Sequence, residues 1–307
     1  MAVVLLTGST GFVGRHLLAH FKQQGHQVRV LLRHSRDQPA QHSEHEFIMQ
    51  SVDDTHTFNL ACHGVDIVVH AGGLAHVTNP ELAGQYEPFQ QVNVQWTRQL
   101  AQCAFKADVQ RFVFVSSIGA VGNGSMPGQT LSEFTMCEPT GHYAQSKLHA
   151  EQALAEIAAQ LKGSYAIIRP PLVHGPNAPG NLAKLAAWVK KGIPLPLGGL
   201  GNQRSLVHVS NLVMAIDLLA FHPLAHQQIF HVADALDYST TDILIGAGKS
   251  LGIQPRLFWL PLNCLRWAGG LLGKQGMVEQ LTGNLQVDCS HIQNTLGYRA
   301  NPVPIEV

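Results

Sequence analysis

The sequence predicts an α/β protein with a doubly wound parallel sheet and a smaller C-terminal lobe. In the first half, short apolar and β-branched runs alternate with longer helical patterns, as a parallel sheet with crossover helices requires. A glycine-rich segment follows the first apolar run, and the later part of the chain is richer in proline and glycine. The chain has 307 residues, of which 45% are hydrophobic and 13% charged, so it can bury a sizeable core.

Six strands are expected in the first half, each followed by a helical pattern. They are the runs at 3–7, 28–32, 47–49, 66–70, 111–116 and 165–169. Two later runs, LVHV at 206–209 and IFHVAD at 229–234, are candidates to return strands to the same sheet. We therefore divide the chain into a sheet domain of residues 1–170, to which residues 206–235 return, and a smaller lobe of residues 171–205 and 236–307.

Charge and cysteine content exclude several classes of protein. Lys+Arg and Asp+Glu are balanced at 20 each and the pI is about 7.3, so no nucleic-acid partner is expected. The five cysteines are odd in number and far apart, which indicates reduced thiols and a cytoplasmic location. The 18 histidines form no recognised ligand spacing, so no metal is expected.

The two most apolar stretches predict no stable membrane insertion. The N-terminus, MAVVLLTGSTG, lacks the basic region of a signal peptide and is expected to form a buried strand. The stretch at 257–273 is interrupted by Pro261 and Arg266 and is shorter than the ~20 residues that cross a bilayer. Its Trp259 and Trp267 are expected to pack as core between the lobes, and a helix on a membrane surface is the alternative.

The segment TGSTGFVG, Thr7 to Gly14, lies between the first apolar run and an amphipathic helical stretch. There Gly8 permits a tight turn, Gly11 lets the backbone approach a pyrophosphate, and Gly14 lets the helix pack on the strand. The helix N-terminus then faces the anion. This context predicts a Rossmann fold, in which the sheet domain binds NAD or NADP and the smaller lobe binds the substrate.

The end of the second strand indicates which dinucleotide is bound. An acidic side chain there would hold the ribose 2′-hydroxyl of NAD, but the strand ends in Leu32 and Arg33, with Arg36 close behind. A guanidinium suits a 2′-phosphate, so NADP is favoured and NAD is the alternative. A solvated charge at the strand end would also account for Arg33.

The motif YAQSK, Tyr143 to Lys147, opens a second helical pattern. At a spacing of four the two side chains share one helix face, so the Lys147 ammonium would favour the Tyr143 phenolate, whose ordinary pKa is about 10. Upstream, the run RFVFVSS places Ser116 and Ser117 at the carboxyl end of a strand, where ligands of open α/β sheets bind. An exposed helix pair without a catalytic role is the alternative.

The chain resembles the extended short-chain dehydrogenase/reductases, the NAD(P)-dependent epimerase/dehydratase family, along nearly its whole length. The matching segments are TGSTGFVG, DIVVHAGG, VNVQWT, FVFVSSIGAVG, YAQSK, IIRPPLVHGP, RSLVHVSNLV and VDCSHIQNTLGY. In that family Ser117 corresponds to the catalytic serine, Tyr143 to the acid/base and Lys147 to its supporting cation.

The resemblance also implies binding residues. Cofactor contacts are expected at Gly8, Thr10, Gly11, Phe12, Val13, Ser51, Val52, Ala71, Gly72, Gly73, Tyr143, Lys147, Pro170 and Val173, beside the Arg33 already considered. Substrate contacts are expected at Ser117, Tyr143, Asn181 and Arg204, the last two matching positions that usually contact a nucleotide sugar. The chain departs from the family pattern at Leu32, Ser51, Trp96, His174 and Ser210.

Within the family, the run at 169–213 is most similar to bacterial polysaccharide enzymes that act on UDP-sugars, both 4-epimerases and 4-keto-sugar reductases. The resemblance thus implies hydride transfer at C4 of a UDP-sugar, with Tyr143 as acid/base. Dehydration is disfavoured because Ile118 and Gly119 stand where an Asp-Glu pair is usual, and Arg33 favours a reductase. An NAD(P)-binding sensor or assembly subunit without catalysis, and a reductase of a non-sugar carbonyl, are the alternatives.

A homodimer is also expected. The helical patterns at 89–105 and 143–161 occupy the positions that pair across a two-fold axis in related enzymes, with Trp96 and Leu154 as candidates for that face. A monomer whose helices bury their apolar stripes only against their own sheet is the alternative.

Overall fold

The computed structural model describes residues 1–33, 45–75 and 84–307, and it has the α/β architecture predicted. The strands are β1 (Val3–Thr7), β2 (Gln27–Leu32), β3 (His45–Ile48), β4 (Ile67–His70), β5 (Arg111–Val115), β6 (Tyr165–Arg169), β7 (Leu172–His174), β8 (Leu195–Gly198), β9 (Arg204–His208), β10 (Gln228–His231), β11 (Asp237–Tyr238) and β12 (Leu257–Trp259). The helices are α1 (Phe12–Gln23), α2 (Thr55–Cys62), α3 (Glu87–Phe89), α4 (Trp96–Lys106), α5 (His142–Leu161), α6 (Asn181–Lys190), α7 (Val209–Phe221), α8 (Thr240–Leu251), α9 (Leu262–Leu271), α10 (Gln275–Thr282) and α11 (Ser290–Leu296). A π-helix (Gln90–Gln95) joins α3 to α4.

In the described part of the chain, seven parallel strands form the main sheet in the order β10-β6-β5-β4-β1-β2-β3. Six of them are the strands predicted from the apolar runs. From β1 the chain builds outward to β2 and β3, and then returns to the other side of β1 to add β4, β5 and β6. The reversal opens a crevice at the carboxyl ends of β1 and β4, where Thr7 pairs with His70.

The central strand β1 is buried on both faces. Val4 and Leu6 point into a core shared with α1 and α7, and Leu5 points into a core shared with α2, α4 and α5. All three side chains are fully buried. Helices therefore cover both faces of the sheet. This is required because successive side chains of a strand point to opposite faces, and those of β1 are apolar on both.

One of the two candidate returning strands does not join the main sheet. The run IFHVAD supplies β10 beside β6, as expected. The prediction for LVHV at 206–209 is wrong, because β9 pairs instead with β7 and β11 in a separate three-stranded sheet. That sheet leads into a third core formed largely by α6, α8 and β8, and Phe12, the first residue of α1, packs against this core.

The candidates for a dimer face are also wrong. Trp96 and Leu154 are buried within the protomer, in the core between the sheet and helices α4 and α5. The Trp96 ring lies edge-on to His70 at 4.9 Å and fills the space beside Gly72. Neither side chain is available to a second copy, and the homodimer itself stays a prediction.

The aromatic stretch of the C-terminal lobe does not pack as core between the lobes. Trp259 and Trp267 are each 70% exposed, which contradicts that expectation. The reason is that α9 contacts the rest of the lobe along a narrow edge, since Leu265 and Gly269 are the only residues of this helix that are buried. No helix in the described ranges is both long enough and apolar enough to cross a membrane.

Candidate active site

The glycine turn after β1 leaves no room for side chains. Gly8 has a φ of +71°, and a Cβ there would lie 2.6 Å from the Ala71 carbonyl oxygen. A Cβ on Gly14 would lie 2.0 Å from the Gly8 carbonyl oxygen, so α1 can pack this closely only on glycine. Gly11 is the N-cap of α1 and supplies no side-chain cap. The turn thus presents the positive end of a helix to the crevice, which fits a pyrophosphate.

Ser117 and Tyr143 meet at the mouth of this crevice. Ser117 follows β5, and its hydroxyl oxygen accepts a hydrogen bond from the Gly119 amide at 3.1 Å. Helix α5 begins after Gly141, whose φ is +87°, and brings Tyr143 into the lining of the same cavity as Ser117. Burial raises the pKa of Tyr143 above its usual value, and the nearby Ser117 side chain opposes this rise.

Lys147 lies one turn further along α5, as the spacing predicted. Its ammonium donates to the Val115 carbonyl at 2.9 Å and lies 4.6 Å from the centre of the Phe114 ring. Burial lowers the pKa of Lys147 to about 8, and the Glu151 carboxylate opposes this fall. The net pKa of Tyr143 is raised because burial outweighs the lowering contributions, and the support of its phenolate by Lys147 stays a prediction. Tyr143 is therefore a neutral phenol at neutral pH.

A buried ion pair supports this face of α5. Arg169, at the end of β6, binds both carboxylate oxygens of Glu151, with Nη2 to Oε2 at 2.6 Å and Nε to Oε1 at 3.0 Å. Both side chains are nearly fully buried, and the Ser116 hydroxyl donates to the same Glu151 carboxylate. Both serines line the cavity, but the Ser116 hydroxyl is held by Glu151, whereas the Ser117 hydroxyl is not. The sequence analysis missed this pair.

A chain of hydrogen bonds joins the glycine turn to α4 and α5. Thr97 donates to the Asn93 carbonyl at 2.6 Å, so its hydroxyl oxygen must accept from Nε2 of His70 at 3.1 Å. The other ring nitrogen, Nδ1, then accepts from the Thr7 hydroxyl at 2.7 Å, and Thr7 accepts from the Gly72 amide at 2.9 Å. A neutral His70 with its proton on Nε2 fits all four hydrogen bonds.

The pKa of His70 agrees with this assignment and gives a prediction. Burial, reinforced by the Lys147 charge, lowers the pKa of His70 from 6.5 to about 3. Between these values the unfolded chain binds a proton that the folded chain does not, so stability falls as pH falls through that window. From pH 7 to pH 5 the histidine should cost about 2 kcal/mol of the free energy of unfolding.

Urea unfolding of the parent and of His70→Gln at pH 7 and pH 5 measures this contribution. The variant should be less stable than the parent at pH 7 because it loses hydrogen bonds. Between pH 7 and pH 5, however, its free energy of unfolding should fall by about 2 kcal/mol less than that of the parent. Equal pH dependence of the two proteins would show that His70 is not held neutral.

The site residues surround one cavity of about 220 Å³. Its lining consists of Val13, Ala71, Gly73, Ala75, Val115, Ser116, Ser117, Tyr143, Lys147, Pro170, Pro171, Val173 and Leu212. Tyr143 and Lys147 of α5 thus lie around one cavity with Ser117. Five further expected cofactor positions lie there too: Val13, Ala71, Gly73, Pro170 and Val173. A Cβ on Gly73 would lie 3.3 Å from the Lys147 ammonium nitrogen and 3.1 Å from Asn93 Oδ1, so a larger residue there would require these side chains to shift.

Several expected site residues lie away from this cavity. Thr10, Arg33 and Ser51 are exposed, and Val52 is half-buried against the core. Arg36 lies outside the described residues. In the smaller lobe, Asn181 is exposed at the start of α6, and Arg204 donates to the carbonyl oxygens of Gln280 and Gly283 at 2.8 and 3.0 Å. Residues 1–33, 45–75 and 84–307 contain no group of three His, Cys, Asp or Glu side chains placed to hold a metal ion.

Comparison with known proteins decides the family. The model of the NAD dependent epimerase/dehydratase family matches residues 4–233, which is most of the chain. The chain belongs to this family. It is an NAD(P)-dependent epimerase/reductase of the extended short-chain dehydrogenase/reductase type, as the motifs indicated.

Curated relatives of this epimerase/dehydratase include two sugar epimerases. The UDP-glucose 4-epimerase of Vibrio cholerae is 35% identical over 298 residues, 96% of this chain and 90% of the relative. The N-acetyl-alpha-D-glucosaminyl-diphospho-ditrans,octacis-undecaprenol 4-epimerase of Escherichia coli O157:H7 is 27% identical over 283 residues, 88% of this chain and 77% of the relative.

Solved structures share the fold of this epimerase/dehydratase. The UDP-glucose 4-epimerase of Thermotoga maritima, determined with UDP-glucose, has a TM-score of 0.78 and 18% identity, with 98% of this chain and 94% of that chain covered. MoeE5, determined with UDP-glucuronic acid and NAD, has a TM-score of 0.76 and 22% identity at the same coverage. At these identities the likeness shows the fold.

The residues of the crevice fit the dinucleotide that the family uses. In the turn that would face the pyrophosphate, Gly8 and Gly14 leave no space for a Cβ, and the N-terminus of α1 is uncapped by any side chain. At the other end, Lys147 carries hydrogen-bond donors beside the Ala71–Gly73 turn. These features would hold the pyrophosphate and the nicotinamide ribose of NAD or NADP.

Proposed function

We propose that this enzyme transfers hydride at C4 of a UDP-sugar, either reducing a 4-keto sugar or epimerising a 4-hydroxyl group. The observation that carries the proposal is the presence of Ser117, Tyr143 and Lys147 in the lining of one cavity at the reversal point of the sheet. That arrangement supplies a proton, an oxygen-orienting hydroxyl and a cation within one site.

In this proposal each side chain has a separate role. Tyr143, a neutral phenol, gives its proton to the C4 oxygen during reduction and takes a proton back in the reverse direction. Ser117 donates a hydrogen bond to the same oxygen, and Lys147 supports the phenolate that remains. The bound dinucleotide supplies or accepts the hydride.

The UDP-sugar is supported by the relatives. The Vibrio cholerae relative is a UDP-glucose 4-epimerase, and MoeE5 was determined with UDP-glucuronic acid and UDP-glucose. In this chain we assign contacts with the nucleotide sugar to Asn181 and Arg204, in addition to Ser117 and Tyr143. Arg204 would have to turn from the carbonyl oxygens of Gln280 and Gly283 toward the substrate, or act by holding that segment in place.

For the cofactor we propose NADP, with NAD as the alternative. Leu32 is buried at the end of β2, so no carboxylate is available there for a ribose 2′-hydroxyl, and the exposed Arg33 follows directly. Replacement of Arg33 by alanine should weaken NADPH binding by about 10- to 100-fold and leave NADH binding nearly unchanged, because a charge-assisted hydrogen bond to the 2′-phosphate is lost. Competitive titration of both cofactors measures the effect; equal affinities in the parent that the variant retains would refute the assignment.

The test of the proposed function is the nucleotide that the protein releases, combined with the product that it forms. After denaturation, stoichiometric NAD would indicate an epimerase that regenerates its cofactor, and its product from a UDP-hexose should be the C4 epimer. An empty site with tight NADPH binding would indicate a reductase that consumes NADPH with a UDP-4-keto sugar. No turnover of either substrate class by dinucleotide-binding protein would refute the proposal.

We also propose a cytoplasmic homodimer. The cysteines at 62, 103, 137, 264 and 289 are unpaired, as expected of a reducing compartment. The dimer would use the outward face of α4 and α5, where Arg98 pairs with Glu156 at 2.9 Å, because the family resemblance assigns pairing to these two helices. Light scattering should give twice the mass of 33.3 kDa at micromolar concentration, and a monomer at that concentration would refute the dimer.

A further inference from the structure

The C-terminal lobe presents a large apolar surface that the proposed function does not use. We call it the α9 surface. It consists of the exposed side chains Phe258, Trp259, Leu262, Trp267, Leu271, Leu272 and Met277, contributed by β12, α9 and the segment into α10. Trp259, Trp267 and Leu272 are each 70% exposed. Aromatic and leucine side chains clustered in this way mark an interaction site on most soluble proteins.

The geometry of α9 explains why its large apolar side chains are exposed. Leu265 and Gly269 form its buried edge, and Gly269 is needed there because a Cβ would lie 2.6 Å from the Val278 side chain. At 3.6 residues per turn, Trp267 and Leu271 lie on the opposite side of the helix. The helix therefore packs on the lobe by one narrow edge and directs its bulkiest apolar residues outward.

The charges around the α9 surface are mainly positive. Between residues 250 and 282 the sequence contains three cations, Arg256, Arg266 and Lys274, and one carboxylate, Glu279. All three cations are exposed. A short helix with outward tryptophan and leucine, flanked by lysine and arginine, has the chemistry of segments that lie in the headgroup region of a bilayer.

We propose that the α9 surface docks this protein on the surface of a bilayer that contains anionic phospholipid. The ten residues of α9 are too few to span the bilayer, so the helix would lie in the plane of the interface with Trp259 and Trp267 among the headgroups. The cations at 256, 266 and 274 would face the lipid phosphates. This inference concerns a surface outside the catalytic cavity and does not depend on the substrate.

A second copy of the chain is a less suitable occupant. In a two-fold dimer the same patch faces itself, so the three cations of each copy would approach those of the other with only one carboxylate per copy, Glu279, to offset their repulsion. An anionic membrane removes that repulsion and neutralises all of the cations. The charge pattern thus favours lipid over self-association.

Vesicle co-sedimentation of the purified full-length protein tests the proposal. Vesicles of phosphatidylcholine alone are compared with vesicles that contain one part phosphatidylglycerol in three, at low and high salt. The parent should bind anionic vesicles at least about 10-fold better than neutral ones, and salt should weaken the binding. Emission of Trp259 and Trp267 should shift to shorter wavelength when anionic vesicles are added, a readout that needs no variant.

Two pairs of variants separate the apolar and the electrostatic contributions. Trp259→Gln/Trp267→Gln should lower vesicle binding about 10-fold or more, whereas Leu60→Gln/Leu224→Gln, which replaces two exposed leucines elsewhere, should not. Arg256→Gln/Arg266→Gln should lower binding to anionic vesicles by about 30-fold, and the control Lys106→Gln/Lys162→Gln should have little effect. Circular dichroism confirms that each variant is folded.

Three outcomes would overturn the proposal. The parent could remain in the supernatant with anionic vesicles and show no shift in emission. The α9-surface variants could bind as well as their matched controls. Finally, light scattering without lipid could show that Trp259→Gln/Trp267→Gln dissociates an oligomer of the parent, which would assign the surface to self-association.

Discussion

Replacement of Tyr143 by phenylalanine is expected to lower kcat by about 10²- to 10⁴-fold, the usual contribution of a general acid or base. The variant keeps the half-buried ring in place and loses only the hydroxyl group that would carry the proton. Dinucleotide affinity should change little, because the phenylalanine ring occupies the same space. Steady-state kinetics on the substrate identified by product analysis, with titration of the dinucleotide, measure both quantities.

The controls for Tyr143→Phe come from the same chain. Tyr165→Phe removes a hydroxyl group from a tyrosine of β6 that does not line the cavity, so its activity should stay near that of the parent. Ser117→Ala should be milder than Tyr143→Phe, since one hydrogen bond is lost and water can partly replace it. A kcat for Tyr143→Phe equal to that of Tyr165→Phe would contradict the acid/base assignment.

Replacement of Lys147 by alanine is expected to damage both turnover and dinucleotide binding. The ammonium group lies beside the Ala71–Gly73 turn and bonds the Val115 carbonyl, so its removal takes a donor from the nicotinamide end of the cavity. It also removes the nearest cation from the phenolate of Tyr143, and kcat should fall by about 10²-fold or more. The two effects distinguish this variant from Tyr143→Phe, in which only turnover suffers.

The pH profile of Lys147→Ala follows from the charge that is removed. In the sugar-oxidising direction Tyr143 must act as a phenolate, and a missing cation raises the pH at which the phenolate forms, so the optimum should move upward. Rates between pH 6 and pH 10, with dinucleotide at saturation, measure the shift. An unchanged optimum together with unchanged dinucleotide affinity would assign Lys147 a purely structural role.

The parts of the site that were predictable are those set by local spacing. Gly8, Gly11 and Gly14 stand at fixed distances within one turn, and Tyr143 and Lys147 share a helix face because they are four residues apart. Such short patterns need no knowledge of the tertiary fold. In the chain, the glycine turn is followed by the strand that precedes Ser117 and then by the helix that carries Tyr143. This order predicted that the glycines, Ser117, Tyr143 and Lys147 lie at one end of the sheet.

The supporting networks depend on partners far apart in sequence. His70 meets Thr7 across 63 residues, and Ser116 meets Glu151 across 35, so no window of sequence contains both members. Glu151 one turn after Lys147 was the available signal, but an acidic residue on a helix usually faces solvent. A buried polar network becomes visible only when the sheet has brought its strands together.

Burial of apolar segments was harder to predict than their secondary structure. The stretch containing Trp259 and Trp267 was expected inside the protein because it is apolar, but hydrophobicity does not reveal which side of a helix finds a partner. The run LVHV likewise has the composition of a main-sheet strand and pairs elsewhere, because short strands of similar composition differ only in their available neighbours.

The measurement that tests the central claim most directly follows a label at C4. UDP-hexoses carrying deuterium at C4 are incubated with the parent and with Tyr143→Phe in the presence of NAD or NADP, and the products are read by NMR and mass spectrometry. Hydride transfer at C4 predicts that the parent either moves the deuterium to the nicotinamide ring or returns it to C4 with inverted configuration, and that Tyr143→Phe does so at least about 10²-fold more slowly. Deuterium that stays at C4 with unchanged configuration, in protein that binds the dinucleotide, would contradict the account.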